Sequence, residues 1–338
     1  MTDDIWDSLC EEAQKKQSSG IFKRLVVEDS AYPVFYGITT PEQHFCFIVQ
    51  LPVEEMHRFE RFPKTRGFNL ITHIAGEELV KGNATLNVTA SSAQYNGVFK
   101  AIALDISKSV SAVTGAENKT LSLIRRLNLW RSFFERQTEA GLSSTDQQGL
   151  YGELYFLRNH LLSLSVGAGR VLATWTGPDK RQHDFQLGKV AVEVKTSSQR
   201  THQKAIITSE QQLDETLVSS LYLYWLCVVI VENDKNTLPA LVGDLRHLLN
   251  STPEAAEFFE NSLLASGYTD AEQNLYATRS YSVVKESIFE VKERFPRIRI
   301  SELRTGVSDV EYSISEGACI PFAVNIEKLS ELLLEALS

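Results

Sequence analysis

Two carboxylates and a lysine share one face of a hairpin between Gln182 and Lys195, a grouping suited to holding a divalent cation against a phosphate. The segment reads Gln182-His183-Asp184-Phe185-Gln186-Leu187-Gly188-Lys189-Val190-Ala191-Val192-Glu193-Val194-Lys195. Gly188-Lys189 suits a two-residue turn, with glycine first as a type II′ turn requires. Folding there sets Leu187 against Val190, Phe185 against Val192 and Asp184 against Glu193. Side chains alternate along a strand, so Phe185, Leu187, Val190, Val192 and Val194 take one face. Asp184, Gln186, Ala191, Glu193 and Lys195 take the other. The spacing predicts two facing carboxylates with Cβ atoms about 5 Å apart. Like charges at that distance repel by roughly 3 kcal/mol at an effective dielectric of about 20. A divalent cation turns the repulsion into binding, and Lys195 lies two residues further along the same face.

A third carboxylate precedes the hairpin. In Gly149-Leu150-Tyr151-Gly152-Glu153-Leu154-Tyr155-Phe156-Leu157, the residues Leu150, Leu157 and Leu161 define the inward stripe of a helix. Glu153 falls on that stripe. A carboxylate facing a core needs a partner, and a cation held by Asp184 and Glu193 is one. Gly152 beside it allows close approach of a strand or of substrate backbone.

The elements that must position these groups follow from pattern. Ser143-Ser144-Thr145-Asp146 supplies N-cap candidates for a helix to about Ser163. Val171–Thr176 is expected as a short strand, the hairpin gives two more, and Ala205–Thr208 a small extended piece. Glu210–Ser220 is expected as a helix, and the apolar run Leu221–Glu232 as a strand buried on both faces. This order implies an α/β (mixed α+β) fold, a mixed sheet covered by helices. Residues 1–115 read as an N-terminal α+β domain for recognition or partner binding. Residues 118–235 read as the core, opened by the basic amphipathic stretch Leu121–Arg136. Residues 236–338 read as elaborations that cap or extend it. There Pro239–Asn250 and Pro253–Ser266 look helical, Tyr281–Val291, Ile298–Ile300 and Val310–Ser315 look like strands, and Ile326–Leu337 is a final helix.

Composition bounds the function classes. The 338 residues are 43% hydrophobic and 23% charged, ordinary for a globular protein. The longest apolar run, Leu221–Val231, is too short to span a membrane as a helix. The acidic start Met1-Thr2-Asp3-Asp4 lacks the basic region of a signal peptide. Cys10, Cys46, Cys227 and Cys319 stand in no paired spacing and read as free thiols, which points to a cytoplasmic setting. The net charge of −9 argues against a protein that coats nucleic acid through a general positive field. Basic residues nonetheless gather at 119–136 and 179–204, so a local surface near the hairpin can meet phosphates.

Helix glutamate, strand aspartate, then Glu-x-Lys on the next strand resembles the PD-(D/E)XK nuclease superfamily. Gly152-Glu153-Leu154, Trp175-x-Gly177-Pro178, His183-Asp184-Phe185, Val192-Glu193-Val194-Lys195-Thr196 and Gln212-Leu213 are similar to the landmarks of the bacterial "PD-(D/E)XK motif protein" family. That family is of largely uncharacterised function and is often found near restriction and phage-defence genes. The resemblance implies a restriction-endonuclease-like core in the order α-β-β-β-α-β. It implies a DNA endonuclease using Mg2+, with Mn2+ as a substitute. Asp184, Glu193 and the backbone carbonyl of Val194 would hold the metal, and Glu153 would complete that site or hold a second ion. Lys195 would orient the attacking water, and Gln212 would position Lys195 or a phosphate oxygen. Arg200, His202 and Lys204 would grip the DNA backbone. Implied partners are DNA, other defence-system subunits and a second copy of the chain, with no membrane. One departure is His183, standing where the superfamily's name places proline; that proline ligates nothing.

Blander readings compete. The hairpin acids could form a solvent-exposed chance salt bridge, Glu153 an ordinary flank residue, and Gln212 an ordinary polar helix residue. His183 and His202 read as surface residues, and Trp175 as core packing with stacking on a base as its alternative. A nuclease fold kept as a silent DNA-binding or scaffold subunit is the first rival function. A carboxylate-pair glycosidase is the second, but a lysine sharing the acids' face suits a phosphate better.

Overall fold

The structure, a computed structural model, describes residues 2–15, 18–29, 32–73, 83–138, 141–164, 166–198, 204–232 and 234–337. The chain divides into two compact units, Met1–Gln137 and Thr138–Ser338.

The first unit is built on an antiparallel sheet of β1 (Gly20–Val27), β2 (Val34–Thr40), β3 (Phe45–Pro52), β4 (Phe68–His73) and β5 (Asn83–Ala90), in the order β1-β2-β3-β5-β4. Helices α1 (Thr2–Lys15), α2 (Asn96–Ser111) and α3 (Ala116–Arg136) pack in the same unit. On α1, Trp6 stacks against Tyr36 and Phe45 with ring centroids 4.9 and 4.5 Å apart. The basic stretch expected to open the catalytic core is the body of α3. Its apolar side, Leu123, Leu127, Trp130 and Phe133, is buried within this unit. Its charges are met there too: Lys119 pairs with Asp29, Arg126 with Asp105 at 2.8 Å, and Arg131 with Glu135 at 3.0 Å.

The second unit opens with α4 (Ser144–Phe156). The Ser143 hydroxyl accepts from the Asp146 N–H at 3.1 Å, the N-cap its sequence promised. A π turn, Leu157–Leu161, continues it, followed by the short α5 (Ala168–Leu172). The hairpin is β6 (Phe185–Leu187) and β7 (Val190–Ser197), with Phe185 opposite Val192 and Leu187 opposite Val190, as the turn arithmetic required. Gly188 takes φ +59°, the left-handed value that this turn needs. Next come β8 (Lys204–Ile207) and β9 (Ser220–Glu232), then α6 (Leu238–Leu249), α7 (Pro253–Ala265) and α8 (Gln273–Tyr276). The chain ends with β10 (Arg279–Val291), β11 (Tyr312–Ser315), α9 (Glu316–Cys319) and α10 (Ile326–Leu337).

The main sheet runs β10-β9-β7-β6, with β7 and β9 parallel and the outer pairs antiparallel, while β11 and β8 form a separate antiparallel pair. The α/β class and mixed sheet are as expected, and β10 extends the sheet. One face carries Val192, Val194, Tyr224 and Leu226 into a core with Leu150, Leu154 and Leu157 of the helix. The other carries Ala191, Leu223 and Trp225 against Ala205, Ile207 and Ile314. Each such fully buried aliphatic or aromatic side chain contributes about 1.5–3 kcal/mol.

Three expected elements differ. Val171–Thr176 is not a strand: its first part ends α5, the Thr174 hydroxyl bonds back to the Val171 carbonyl at 2.7 Å, and only Trp175 bridges to Phe185. Glu210–Ser220 is not a helix but successive turns, because Asp214 Oδ1 takes the Thr216 N–H at 2.8 Å and distant groups take the rest. Glu210 accepts from Val310, Asp214 from Ile300, and the Arg297 guanidinium donates to the Leu213 carbonyl and Glu215. Ile298–Ile300 is likewise no strand, and leads into the turn Ile300–Glu302.

Candidate active site

The short β6 creates the site. Its ladder stops at Phe185, so β7 has an open edge beside Val194. Asp184 fills that edge with its side chain, and Oδ2 accepts the Val194 N–H at 2.8 Å. A strand residue's N–H and C=O point to the same edge, so the Val194 carbonyl faces this side as well. The Asp184 carbonyl is held in turn by the N–H groups of Thr176 and Gly177 at 2.8 and 3.0 Å.

Glu193 points to the other face of β7 and is 1% exposed. Lys195 Nζ lies 2.9 Å from its Oε1, yet neither Glu193 oxygen receives an aligned hydrogen bond. Burial, and then the charge of Asp184, push this carboxyl up to about 8, with Lys195 pulling against them. For Lys195 burial works downward, but Glu193 and Asp184 outweigh it and hold the ammonium above its ordinary value. Lys195 Nζ also donates to Gln212 Oε1 at 3.0 Å, an oxygen that takes the Thr208 N–H at the same distance. Gln212 therefore reaches Lys195 as expected, from a turn rather than from a helix.

Glu153 comes from α4, half-buried beside its apolar neighbours Leu150 and Leu154. Its Oε2 accepts the indole N–H of Trp175 at 2.7 Å. Gly152 lets the helix close on β7: a Cβ there would meet the Thr196 hydroxyl at 1.8 Å. A Cβ on Gly177 would stand 2.8 Å from Glu153 Oε2 and 3.1 Å from Asp184 Oδ1, so both oxygens close on this one glycine.

The donor set fits a hard divalent cation: a buried carboxylate with only Lys195 beside it, the carboxylate of Asp184 and a strand carbonyl. Asp184, Glu193 and Val194 are the candidate ligands, with Glu153 beside Gly177. Among the described residues no three histidine, cysteine or acidic side chains form a ready-made cage.

Lys204 is exposed at the start of β8, while Arg200 and His202 lie outside the described residues. His183 is buried at 3%, not on the surface, and burial lowers its pKa. Trp175 is core, 2% exposed and packed near Phe259, but its bond to Glu153 was not foreseen. The only signal was its place in the Trp-x-Gly-Pro run ahead of Asp184. No described helix is long and apolar enough to cross a membrane.

No curated protein and no solved structure matches the chain. Residues 2–316 match the family described as "Putative PD-(D/E)XK family member, (DUF4420)". With nearly its whole length covered, and with Glu153, Asp184, Glu193 and Lys195 brought together, the chain belongs to that family.

Proposed function

We propose that the chain is a metal-dependent endonuclease that hydrolyses DNA phosphodiester bonds within a bacterial restriction or phage-defence system. One observation carries this reading above the others: Glu193 is buried with both oxygens short of hydrogen-bond donors, beside Asp184 and Lys195. Structural carboxylates are given donors, whereas one left without them is arranged for a ligand.

Asp184, Glu193 and the Val194 carbonyl would hold Mg2+, with Mn2+ able to substitute, and Glu153 would complete the site or serve a second ion. Such an ion polarises a phosphate and lowers the pKa of a bound water. Lys195, braced by Gln212, orients that water and neutralises charge on the phosphoryl oxygens. Lys204, with Arg200 and His202, contacts the DNA backbone and fixes register rather than sequence. The first unit recognises the target or a partner subunit, and pairing of two copies would place a centre on each strand.

The test is cleavage of supercoiled plasmid with Mg2+ or Mn2+, beside Asp184→Ala and Lys195→Ala. Metal-dependent nicking or linearisation should fall by about 100-fold or more in both variants. A chain that neither cuts nor binds Mn2+ is instead a silent scaffold, and the nuclease reading is then wrong.

A further inference from the structure

We propose that Trp175 is the positioning residue for Glu153, its indole N–H holding that carboxylate over the bare Cα of Gly177 beside Asp184. This rests on the cation-site reading above and adds to it a residue which no ligand role requires.

Three observations converge on the segment 175–177. The indole nitrogen lies 2.7 Å from Glu153 Oε2, a charge-assisted bond to one particular oxygen. The residue is itself fixed: Trp175 is 2% exposed, its backbone N–H donates to the Leu172 carbonyl at 3.0 Å, and it bridges to Phe185. The next two residues hold Asp184 through their backbone N–H groups at 2.8 and 3.0 Å. One short stretch thus holds the Glu153 carboxylate by a side chain and the backbone carbonyl of Asp184 by its main chain.

Gly177 shows what that grip is for. Its φ lies outside the left-handed region, so glycine is not needed there for conformation. It is needed for space, since a Cβ would crowd Glu153 Oε2 at 2.8 Å and Asp184 Oδ1 at 3.1 Å. If Trp175 merely filled the core, neither the aim of its N–H nor the close approach of both carboxylates to Gly177 would have a reason. Replacing a group that orients a metal ligand commonly costs about 10–100-fold in metal affinity.

The experiment is Mn2+ titration calorimetry on the full chain, with plasmid cleavage alongside. Trp175→Phe removes the donor and should weaken Mn2+ binding about tenfold and lower kcat similarly, leaving the KM for DNA unchanged. In a Glu153→Ala background the same change should add nothing to either loss. Phenylalanine also leaves part of the indole's space empty, so Gly177→Ala supplies a variant that spares this packing. It should weaken Mn2+ binding by a similar factor at an unchanged melting temperature. A folded Trp175→Phe chain with native Mn2+ affinity overturns the assignment, as does a loss that persists undiminished on Glu153→Ala. Should Glu153→Ala and Asp184→Ala both bind Mn2+ as tightly as the native chain, the cation site itself falls and this assignment with it.

Discussion

Glu193 on β7 and Glu286 on β10 belong to the same mixed sheet, and the sheet treats them in opposite ways. Glu286 is surrounded by donors: Tyr155 at 3.1 Å, His160 Nε2 at 2.8 Å and the Tyr224 hydroxyl at 2.8 Å. The His160 hydrogen bond leads in holding its carboxyl below the ordinary carboxylate range, against burial. Glu193 has Lys195 for company but no aligned donor, and burial with Asp184 pushes it up to about 8. Both carboxylates are equally available to solvent in the unfolded chain. Folding satisfies one and leaves the other short, and the second is where a cation has something to offer.

The largest effect that separates the two is on cation binding. Glu193→Gln should weaken Mn2+ binding by at least about 100-fold, because losing a direct ligand exceeds the loss of an outer partner. Glu286→Gln should leave that affinity within about twofold, since its partners Tyr155, His160 and Tyr224 are not among the candidate ligands. Saturation should also stabilise only a chain with an intact site: Mn2+ at about 100 times its dissociation constant adds about 2.7 kcal/mol. Thermal melts would show that gain in the native chain and none in Asp184→Asn. An equal gain in both would place the ion elsewhere and remove the contrast.

The next effect runs the other way. Glu286→Ala strips one acceptor from three partly buried donors and should cost about 2 kcal/mol in urea unfolding, with Mn2+ affinity kept. If Glu286→Ala is neutral while cation-free Glu193→Gln collapses, Glu193 is the structural acid of the pair and the comparison is inverted.

Much of this site was legible because its determinants are local. Gly188-Lys189 fixes the register of β6 and β7 by counting alone, and just past the last pair, Phe185 with Val192, the Asp184 side chain takes the Val194 N–H at the β7 edge. Glu153 followed from helical spacing to Leu150 and Leu157. Lys195 and Gln212 meet as the motif implied, at 3.0 Å. What failed had either an unannounced local bond or a distant donor behind it. Val171–Thr176 has strand composition, yet Thr174 turns back on Val171 and only Trp175 reaches Phe185. Glu210–Ser220 has helical composition, yet Arg297, Ile300 and Val310 pin it as turns from far along the chain. His183 read as a surface polar residue and is buried, since nothing nearby in sequence announces the loop that covers it. The three donors of Glu286 likewise come from the helix region and β9, at separations that no periodicity reveals.

The smallest effect is a pH dependence that belongs to Glu286. Its folded-state value lies below the ordinary carboxylate value of 4.5. On acidification the unfolded chain therefore takes up the proton first, and each step down in pH favours unfolding. The contribution of the carboxylate is whole above the unfolded value and disappears as pH falls through the folded one. Glu286→Gln keeps the side chain's size and loses the charge, so the gap in stability between it and the native chain measures that contribution. The gap should be widest above the unfolded value and should close as pH falls through the folded one. Urea unfolding of both proteins across that range reads it directly. A gap that stays constant, or widens in acid, would mean that the tyrosine and histidine donors do not favour the ionised form. Glu286 would then be no better satisfied than Glu193, and the distinction between a carboxylate kept for the fold and one kept for a ligand would fail at its structural end.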